Sequence, residues 1–250
     1  MIQHVIPVYK FEGETPLSCI QRIQQSFPEY KTLPMTYAGR LDPMAEGMMI
    51  LLVGEECKNK DAYLGLDKTY IIEVLLGVST DTYDVLGILD DSDVTRAYDI
   101  SEARISEIAQ SFQGKQYQAY PAYSSKTVQG KPLFTYAREE KLGEIEIPGH
   151  EIIIHEITLG GLEYVFLDTI IENALQRIDH VQGDFRQEAI KASWRQISSN
   201  KLSTVTLVSL EVRASSGTYM RQLACDIGKK LGIPALALSI KRTRVGEYAL

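Results

Sequence analysis

Hydrophobic residues recur along this chain with two different periods, and the period changes several times from one end to the other. A spacing of three to four residues predicts five helices. They lie near residues 16–27, 101–112, 167–181, 184–197 and 218–231. Thr15 before Pro16, and Ser101, are N-caps for the first two. The most regular stripe comprises Leu167, Ile170, Ile171, Ala174, Leu175, Ile178 and Val181.

Extended segments alternate with these helices without a steady βαβ order. Continuous or alternating apolar runs predict four strands. They lie near residues 48–53, 70–78, 151–162 and 208–212. Helices and strands mixed in this way favour an α+β fold.

Composition narrows the classes of protein that fit. With 250 residues, 44% hydrophobic and 24% charged, the chain has the make-up of a globular protein. The longest apolar run, residues 48–53, is far too short to cross a bilayer. The N-terminus lacks a signal-peptide pattern, so we expect a cytoplasmic protein. Three scattered cysteines, Cys19, Cys57 and Cys225, argue against disulfides and against a zinc site.

The net charge of −7 counts against a nucleic-acid partner, but the charge is unevenly distributed. Residues 81–110 hold eight acidic and two basic side chains, a local charge of −6. Residues 111–141 hold five basic and two acidic ones (+3), and residues 211–250 hold seven basic and three acidic ones (+4). An acidic chain can therefore still present a basic face.

The most promising chemical segment is G-R-L-D-P-M-A-E-G at residues 39–47. Pro43 biases Asp42 toward an extended conformation, so the carboxylate projects from a loop that enters a strand. An ordinary Asp-Pro turn is the alternative. Asp81 and Asp84 follow a predicted strand and could bind a divalent metal, although Asx-turn capping is the commoner explanation.

Two further segments suggest contact with an anion or with RNA. If Thr218 is the N-cap of the last helix, Arg221 is its third residue, where a cation opposes the helix dipole; an anionic group should face it unless it is a solvated surface arginine. In the other segment, tyrosines stand among lysines as in an RNA-binding loop, or the tyrosines pack on a core edge. This segment contains Lys115, Tyr117, Tyr120, Tyr123, Lys126 and Lys131.

Taken in order, five blocks resemble the TruB family of tRNA pseudouridine synthases. The first is G-R-L-D-P-M-A-E-G, and the second and third are K-T-Y at 68–70 and L-G-V-S-T-D-T-Y-D at 76–84. The fourth is Q-A-Y-P-A-Y-S-S-K at 118–126 with G-K-P-L at 130–133, and the fifth is S-G-T-Y-M-R at 216–221 with D-I-G at 226–228. The resemblance extends over roughly residues 10–250.

The resemblance implies a pseudouridine-synthase fold, with a mixed, largely antiparallel central sheet flanked by helices and loops. It also implies isomerisation of uridine 55 in the tRNA T arm, without metal or other cofactor. Asp42 would be the catalytic carboxylate, either a nucleophile at C1′ or a base at C2′. Tyr70 would stack on the flipped base, and Arg221 would pair with Asp42.

The resemblance further implies a set of substrate contacts. These are Tyr37, Arg40, Lys68, Asp84, Tyr123, Lys126, Lys131 and Tyr219. The family commonly has a histidine five residues before the aspartate; Tyr37 stands there in this chain, and a tyrosine can also stack. The partner would be the T-arm stem-loop of tRNA, bound by a monomer with no membrane association.

We expect residues 1–250 to form a single catalytic domain without the C-terminal PUA domain that many bacterial members carry. A helical insert near residues 165–200 is longer than the family's usual connection. Its regular apolar face, and the local charge of −2 over residues 161–200, predict packing on the catalytic core or on a second copy rather than binding of RNA.

Two other functions remain open on sequence grounds. A metal-dependent phosphohydrolase could use Asp42, Asp81 and Asp84, and would lose activity in EDTA. A catalytically silent RNA-binding module could share the fold, and would tolerate Asp42→Asn.

Overall fold

A computed structural model describes residues 2–197 and 203–250. The described residues form thirteen strands. These are β1 Val5–Lys10, β2 Met35–Ala38, β3 Ala45–Val53, β4 Lys68–Leu76, β5 Val78–Thr80, β6 Leu89–Ser92, β7 Gly114–Ala119, β8 Thr127–Val128, β9 Lys131–Pro132, β10 Gly149–Phe166, β11 Thr204–Ala214, β12 Ala235–Val245 and β13 Tyr248–Ala249.

The same residues form eight α-helices and three short 3₁₀ helices. The α-helices are α1 Pro16–Ser26, α2 Lys60–Leu64, α3 Val94–Tyr98, α4 Glu102–Gln110, α5 Leu133–Arg138, α6 Leu167–Asp179, α7 Gln187–Trp194 and α8 Met220–Leu231. The 3₁₀ helices are Pro28–Tyr30, Gly54–Asn59 and Leu142–Glu144. The expected caps are present at α1 and α4, where Thr15 Oγ1 and Ser101 Oγ accept backbone N–H groups.

A mixed sheet organises the fold. Within the described residues, seven of its nine strands follow the order β1-β3-β12-β4-β11-β10-β7, with β2 paired to β3 and β13 paired to β12. Strands β3 and β12 run parallel, whereas their neighbours pair antiparallel. Two small hairpins, β5-β6 and β8-β9, lie outside it. The α+β fold expected from the sequence is confirmed.

Strand β3 is apolar from Met48 to Val53 because both of its faces are covered there. Met49, Leu51 and Val53 pack with the buried residues of α1. The alternate residues Met48 and Ile50 belong to a second cluster on the opposite face. Since side chains alternate along a strand, only a continuous apolar run fills both clusters.

Helices α4 and α8 cover one face of the central strands. Their buried residues form one cluster with alternate residues of β4 and β11. This cluster includes Ile72, Val74, Val208, Leu210, Ile105, Ile108, Leu223 and Ile227. Strand β10 extends beyond the predicted residues 151–162, and it carries bulges near residues 155 and 160 that interrupt its register with β11.

The helical insert packs against the other face of the sheet at one end. Helices α6 and α7 bury their apolar stripes against Leu75 and Leu236, which point away from the α4 and α8 layer. Trp194 is fully buried, and its Nε1 donates to the Val85 carbonyl at 3.2 Å. The predicted packing of the insert on the core is confirmed, whereas its predicted end at residues 198–200 lies outside the described residues.

None of the helices among residues 2–197 and 203–250 is long and apolar enough to span a membrane.

Candidate active site

Asp42 lies on the loop between β2 and β3, and its neighbours anchor that loop. Leu41 and Met44 are buried, and the Ala45 N–H donates to the Asp42 carbonyl at 3.0 Å, which closes a tight turn. The Asp42 side chain itself keeps 34% of its surface exposed. The loop therefore presents one carboxylate at the surface from a rigid base.

Two buried cations hold this loop from below. Lys10 Nζ donates to the Ala45 carbonyl at 2.6 Å, and Arg242 donates to the carbonyls of Met48 at 2.7 Å and Gly39 at 3.1 Å. Burial lowers the pKa of Lys10 to about 8, although nearby carboxylates oppose the shift. Neither cation is exposed, so Arg242 does not belong to the basic face expected from residues 211–250.

Gly47 allows β3 to approach β12 closely at this point. Its φ is 110°, and a Cβ atom there would lie 2.2 Å from the Arg242 carbonyl oxygen. Any other residue would push the two strands apart, so the glycine that ends the G-R-L-D-P-M-A-E-G block serves the strand pairing.

Arg221 faces Asp42 from the start of α8. Its Nε donates to Asp42 Oδ2 at 2.8 Å, and its Nη1 and Nη2 donate to the carbonyls of Thr82 at 2.7 Å and Tyr123 at 3.4 Å. Only 3% of Arg221 is exposed. The predicted anionic partner for Arg221 is confirmed, and the arginine is buried rather than solvated.

The start of α8 differs from the sequence prediction. Thr218 is not its N-cap, because the Thr218 hydroxyl donates to the Ser215 carbonyl at 2.9 Å. Tyr219 is the N-cap, and Arg221 is the second residue of the helix rather than the third. A cation in the first turn still opposes the helix dipole, and the paired carboxylates offset that cost.

Asp84 supplies a second carboxylate to the same guanidinium. Its Oδ2 lies 3.5 Å from Arg221 Nε, while its Oδ1 accepts from the Thr82 hydroxyl at 2.7 Å and the Leu86 N–H at 2.9 Å. Burial raises the pKa of Asp84, and Arg221 and Thr82 oppose that shift only in part. Tyr83 has a left-handed φ of 62°, which forms the turn between Thr82 and Asp84.

Arg221 remains cationic between the two carboxylates. Burial alone would lower the pKa of Arg221, but the negative charges of Asp42 and Asp84 outweigh it and raise that pKa. Loss of Arg221 would leave the buried Asp84 without its counterion, whereas loss of either carboxylate would leave Arg221 with one partner in place of two.

Tyr70 lies on an apolar floor formed by β4 and its neighbouring strands. It is 9% exposed, belongs to the same large buried cluster as Leu41 and Met220, and is paired across the strands with Arg242, which holds the Asp42 loop. The structure therefore brings Asp42 and Arg221 into contact and joins Tyr70 to the strand that supports the Asp42 loop.

An aromatic group adjoins the N-terminus of α8. The Tyr120 ring stacks on His150 with centroids 4.4 Å apart, and the Tyr219 ring meets both edge-on. The Gln118 side chain accepts from the Tyr219 N–H at 2.8 Å and donates to its carbonyl at 3.1 Å. Sequence analysis did not single out Gln118 or His150. The partner of Gln118 is Tyr219, 101 positions away, and His150 Nε2 is hydrogen-bonded to the Gly217 carbonyl, 67 positions away. No local pattern marks partners so distant in sequence.

Asp81 and Asp84 do not converge on one point. Asp81 is bound by Arg186 and Asp84 by Arg221. In the part of the chain that the structure describes, no three histidine, cysteine, aspartate or glutamate side chains are grouped closely enough to hold a metal ion.

Comparison with known proteins identifies the family. Residues 29–176, which are 148 of the 250 residues, match the family described as TruB family pseudouridylate synthase (N terminal domain). The chain belongs to the TruB family. The matched region contains Asp42, Tyr70 and Asp84, whereas Arg221 lies beyond it.

Relatives of this TruB family member cover nearly the whole chain. It is 30% identical over 250 residues to tRNA pseudouridine synthase B of Bacillus subtilis (strain 168), with 100% of this chain and 67% of the relative covered. The corresponding enzyme of Bacillus pumilus is 31% identical, with 100% and 67% covered. The chain thus spans about two thirds of the length of these relatives.

Solved structures support the same fold. The TruB family chain superposes on the crystal structure of a Cbf5-Nop10-Gar1 complex with a TM-score of 0.60 at 17% identity, covering 98% of this chain and 49% of that one. An H/ACA RNP bound to a substrate RNA containing 2′-deoxyuridine gives 0.57 at 16% identity, with 98% and 48% covered. The pseudouridine-synthase fold expected from the sequence is confirmed.

The remaining predicted substrate contacts of this TruB family member differ in exposure. Arg40 and Lys126 are exposed; Arg40 donates to the Tyr37 hydroxyl at 3.3 Å, and Lys126 Nζ lies 4.8 Å from the Tyr120 ring centroid. Lys131 is half-buried and pairs with Glu139 at 2.6 Å. These residues lie around the Asp42 loop or in the segment after β7.

Two of the residues predicted to bind substrate are buried instead. Lys68 is 4% exposed, and its Nζ donates to the carbonyls of Leu64 at 2.7 Å and Leu66 at 2.5 Å and to Ser216 Oγ at 3.1 Å. Asp84 is likewise 4% exposed and is engaged by Arg221. Both charges are satisfied inside the protein, so these side chains support the site from within rather than line its surface.

Proposed function

We propose that this chain isomerises uridine to pseudouridine at position 55 in the T arm of tRNA, with Asp42 as the catalytic carboxylate. The observation that carries the proposal is the geometry of Asp42, a partly exposed carboxylate held 2.8 Å from a buried arginine. Membership of the TruB family and the tRNA pseudouridine synthase relatives support the reaction and the substrate.

The reaction needs one well-placed carboxylate. The N1–C1′ glycosidic bond breaks, the uracil turns within the site, and C5 bonds to C1′. The C5 proton is then removed and N1 gains a proton, so the product is an isomer of the substrate. Asp42 acts either as a nucleophile at C1′ or as a base at C2′. Arg221 holds the carboxylate through Oδ2, so we assign the reacting role to Oδ1.

The target nucleotide must leave the RNA stack to reach Asp42. Tyr70, on the apolar floor, provides a ring against which the flipped uracil stacks. Tyr37 and Arg40 at the Asp42 loop, and Lys126 beside Tyr120, are the accessible groups for the surrounding RNA. Arginine and lysine contacts to phosphate supply affinity, whereas Asp42 supplies chemistry.

All of these groups come from one chain, which supports a monomer as the active unit and residues 1–250 as one catalytic domain with the helical insert included. A tRNA substrate supports a cytoplasmic location for the proposed activity. Asp42, Tyr70 and Arg221 carry out the proposed chemistry without a bound cofactor.

The deciding experiment is incubation of the chain with an unmodified T-arm hairpin, with and without EDTA, followed by pseudouridine mapping. We expect product in both samples. Asp42→Asn should abolish turnover while RNA binding stays within about tenfold, because the carboxylate acts in the chemical step. The exposed Asp61→Asn is the matched control.

Each rival function has its own outcome. A metal-dependent hydrolase would form no pseudouridine in either sample and would show a hydrolytic activity that EDTA abolishes. An Asp42→Asn variant that retains more than about a hundredth of the wild-type rate would reject Asp42 as the catalytic group.

A further inference from the structure

Arg186 extends from the helical insert to the active-site region. It is the residue before α7, has a left-handed φ of 65°, and sends its guanidinium to Asp81. Nη1 lies 3.0 Å from Asp81 Oδ2, and Nη2 lies 3.4 Å from Asp81 Oδ1. This two-point pairing fixes the orientation of both groups.

The same guanidinium also holds Tyr123. Nη1 donates to the Tyr123 hydroxyl at 2.6 Å, and the guanidinium carbon lies 4.4 Å from the ring centroid. Burial and the negative charge of Asp81 raise the pKa of the Tyr123 hydroxyl to about 12. Arg186 therefore clamps two segments, the turn after β5 and the loop after β7, which are 42 positions apart in sequence (123 minus 81).

These two segments are the ones that hold Arg221. The Thr82 carbonyl, one residue after Asp81, accepts from Arg221 Nη1 at 2.7 Å. The Tyr123 carbonyl accepts from Arg221 Nη2 at 3.4 Å. The two carbonyls that bind Nη1 and Nη2 of Arg221 thus belong to the segments that Arg186 joins.

We propose that Arg186 is a positioning residue for the isomerisation, which orients Arg221 toward Asp42 by clamping Asp81 and Tyr123 together. The inference rests on the proposed function. Arg186 acts through Arg221, and its guanidinium is bound to protein groups rather than to substrate. Tyr123, predicted from sequence to contact substrate, then serves as the link between the insert and the catalytic pair.

The competing explanation is that Arg186 only anchors the insert to the rest of the protein. Other residues of the insert already provide such anchoring. Helix α7 is anchored by Ile190 and Trp194, both fully buried, and α6 is anchored by Arg177, which binds Glu12. Arg186, by contrast, binds Asp81 and Tyr123, which belong to the two segments whose carbonyls accept from Arg221. Ile190→Ala therefore makes a matched control, because it loosens the same helix without touching Asp81 or Tyr123.

The test measures single-turnover rate at saturating T-arm hairpin, hairpin affinity and melting temperature for Arg186→Gln, Arg186→Lys and Ile190→Ala. We expect Arg186→Gln to slow the chemical step about tenfold or more, with affinity changed less than about threefold. Arg186→Lys should recover only part of the rate, since an ammonium cannot bind Asp81 at two points and cover the Tyr123 ring. Ile190→Ala should lower the melting temperature without slowing the chemical step.

A double variant tests whether Arg186 acts through Asp81. Asp81→Asn combined with Arg186→Gln should be about as slow as the slower single variant, because both changes open the same clamp. Fully additive losses would show that the two residues act separately and would overturn the proposal.

The remaining outcomes are equally decisive. A rate for Arg186→Gln within about twofold of wild type overturns the positioning role, and so does an equal slowing by Ile190→Ala. Weaker binding with an unchanged saturated rate would make Arg186 an RNA contact instead. If the wild-type chain forms no pseudouridine, the proposed function fails and the inference fails with it. If the wild type is active and Arg186→Gln has the same single-turnover rate, only the inference is rejected.

Discussion

Arg221 and Asp42 are 179 positions apart in sequence, yet Arg221 Nε lies 2.8 Å from Asp42 Oδ2. The arginine is almost fully buried, while the carboxylate reaches the surface. A buried, permanent cation thus orients an accessible anion. The pair is the centre of the site because the buried Asp84 contacts Arg221, and the buried Lys10 and Arg242 hold the loop that carries Asp42.

Replacement of Arg221 tests this dependence. Arg221→Ala should lower the turnover rate by about 10² or more, because it leaves Asp42 without its orienting donor and Asp84 without its counterion. Arg221→Lys should retain charge but lose most of the rate, since an ammonium cannot reach Asp42, Thr82 and Tyr123 together. Melting curves for both variants separate unfolding from slow chemistry. Turnover within about threefold of wild type would contradict this assignment.

Asp84 should matter for turnover although it is 4% exposed. Asp84→Asn keeps the shape and an oxygen for the Leu86 N–H but removes the charge beside Arg221. We expect the turnover rate to fall about tenfold or more and hairpin affinity to change little. Asp99→Asn, at an exposed aspartate, is the control. An unchanged rate would mean that Asp42 alone orients Arg221.

Local sequence rules singled out Asp42 and Arg221 but not the groups that hold Arg221 in place. The constraint that Pro43 places on Asp42, and the unfavourable position of Arg221 in its helix, are both legible along a few residues. The partners of Arg221 are not, because the Thr82 and Tyr123 carbonyls lie 139 and 98 positions away. Helical periodicity predicts which face is apolar, but it does not indicate what that face packs against.

Burial explains where sequence reasoning failed. A lysine in the K-T-Y block looks like a ligand contact, but Lys68 is surrounded by carbonyls at the start of β4. Thr218 looks like an N-cap, yet its hydroxyl has a closer partner in Ser215. Composition and charge cannot distinguish a buried, hydrogen-bonded polar side chain from an exposed one, because the residue type is the same in both cases.

Lys68 should make stability depend on pH. Burial lowers its pKa to about 8, whereas an unfolded lysine keeps the ordinary value near 10.5. Between these values the unfolded chain binds more protons, so this group's unfavourable contribution is largest below pH 8 and is relieved as pH rises toward 10.5. Lys10 acts in the same direction.

The measurement is denaturant unfolding between pH 7 and 9.5. Lys68→Met removes the titrating group, so the free energy of unfolding should rise less steeply with pH in the variant, by at most about 2 kcal/mol over this range. Lys31→Met, at an exposed lysine, should leave the slope unchanged. Parallel curves for Lys68→Met and wild type would show that the lysine is not destabilised by burial.

Salt should weaken RNA binding despite the net charge of −7. Arg221, Arg242 and Lys68 are buried and cannot neutralise phosphates, which leaves exposed cations such as Arg40 and Lys126. We expect log K to fall against log salt with a slope of about −3 to −5, for some four to six phosphate contacts. Lys126→Gln should reduce the slope by about one, and Arg104→Gln, in the acidic segment, should not change it. A slope near zero would argue against a basic RNA-binding face.

The structure separates two cations of the insert that the sequence alone does not distinguish. Arg177 and Lys191 both belong to the helical insert, and from the charge of the insert we expect neither to bind RNA. In the structure Arg177 binds both oxygens of Glu12 at 2.8 and 2.6 Å and donates to the Leu238 carbonyl at 2.8 Å. Lys191 pairs with the exposed carboxylates of Asp179 and Glu188.

Arg177→Gln should therefore lower the free energy of unfolding by about 1–3 kcal/mol, because the shorter amide leaves Glu12 and the Leu238 carbonyl without their charged donor. Lys191→Gln should produce no measurable change, since water replaces its partners. Both variants should bind the hairpin as tightly as wild type, because the insert is acidic and packs on the sheet. Equal stability of the two variants would mean that the apolar stripe alone holds the insert, and a tenfold loss of RNA affinity in either would make the insert an RNA-binding element.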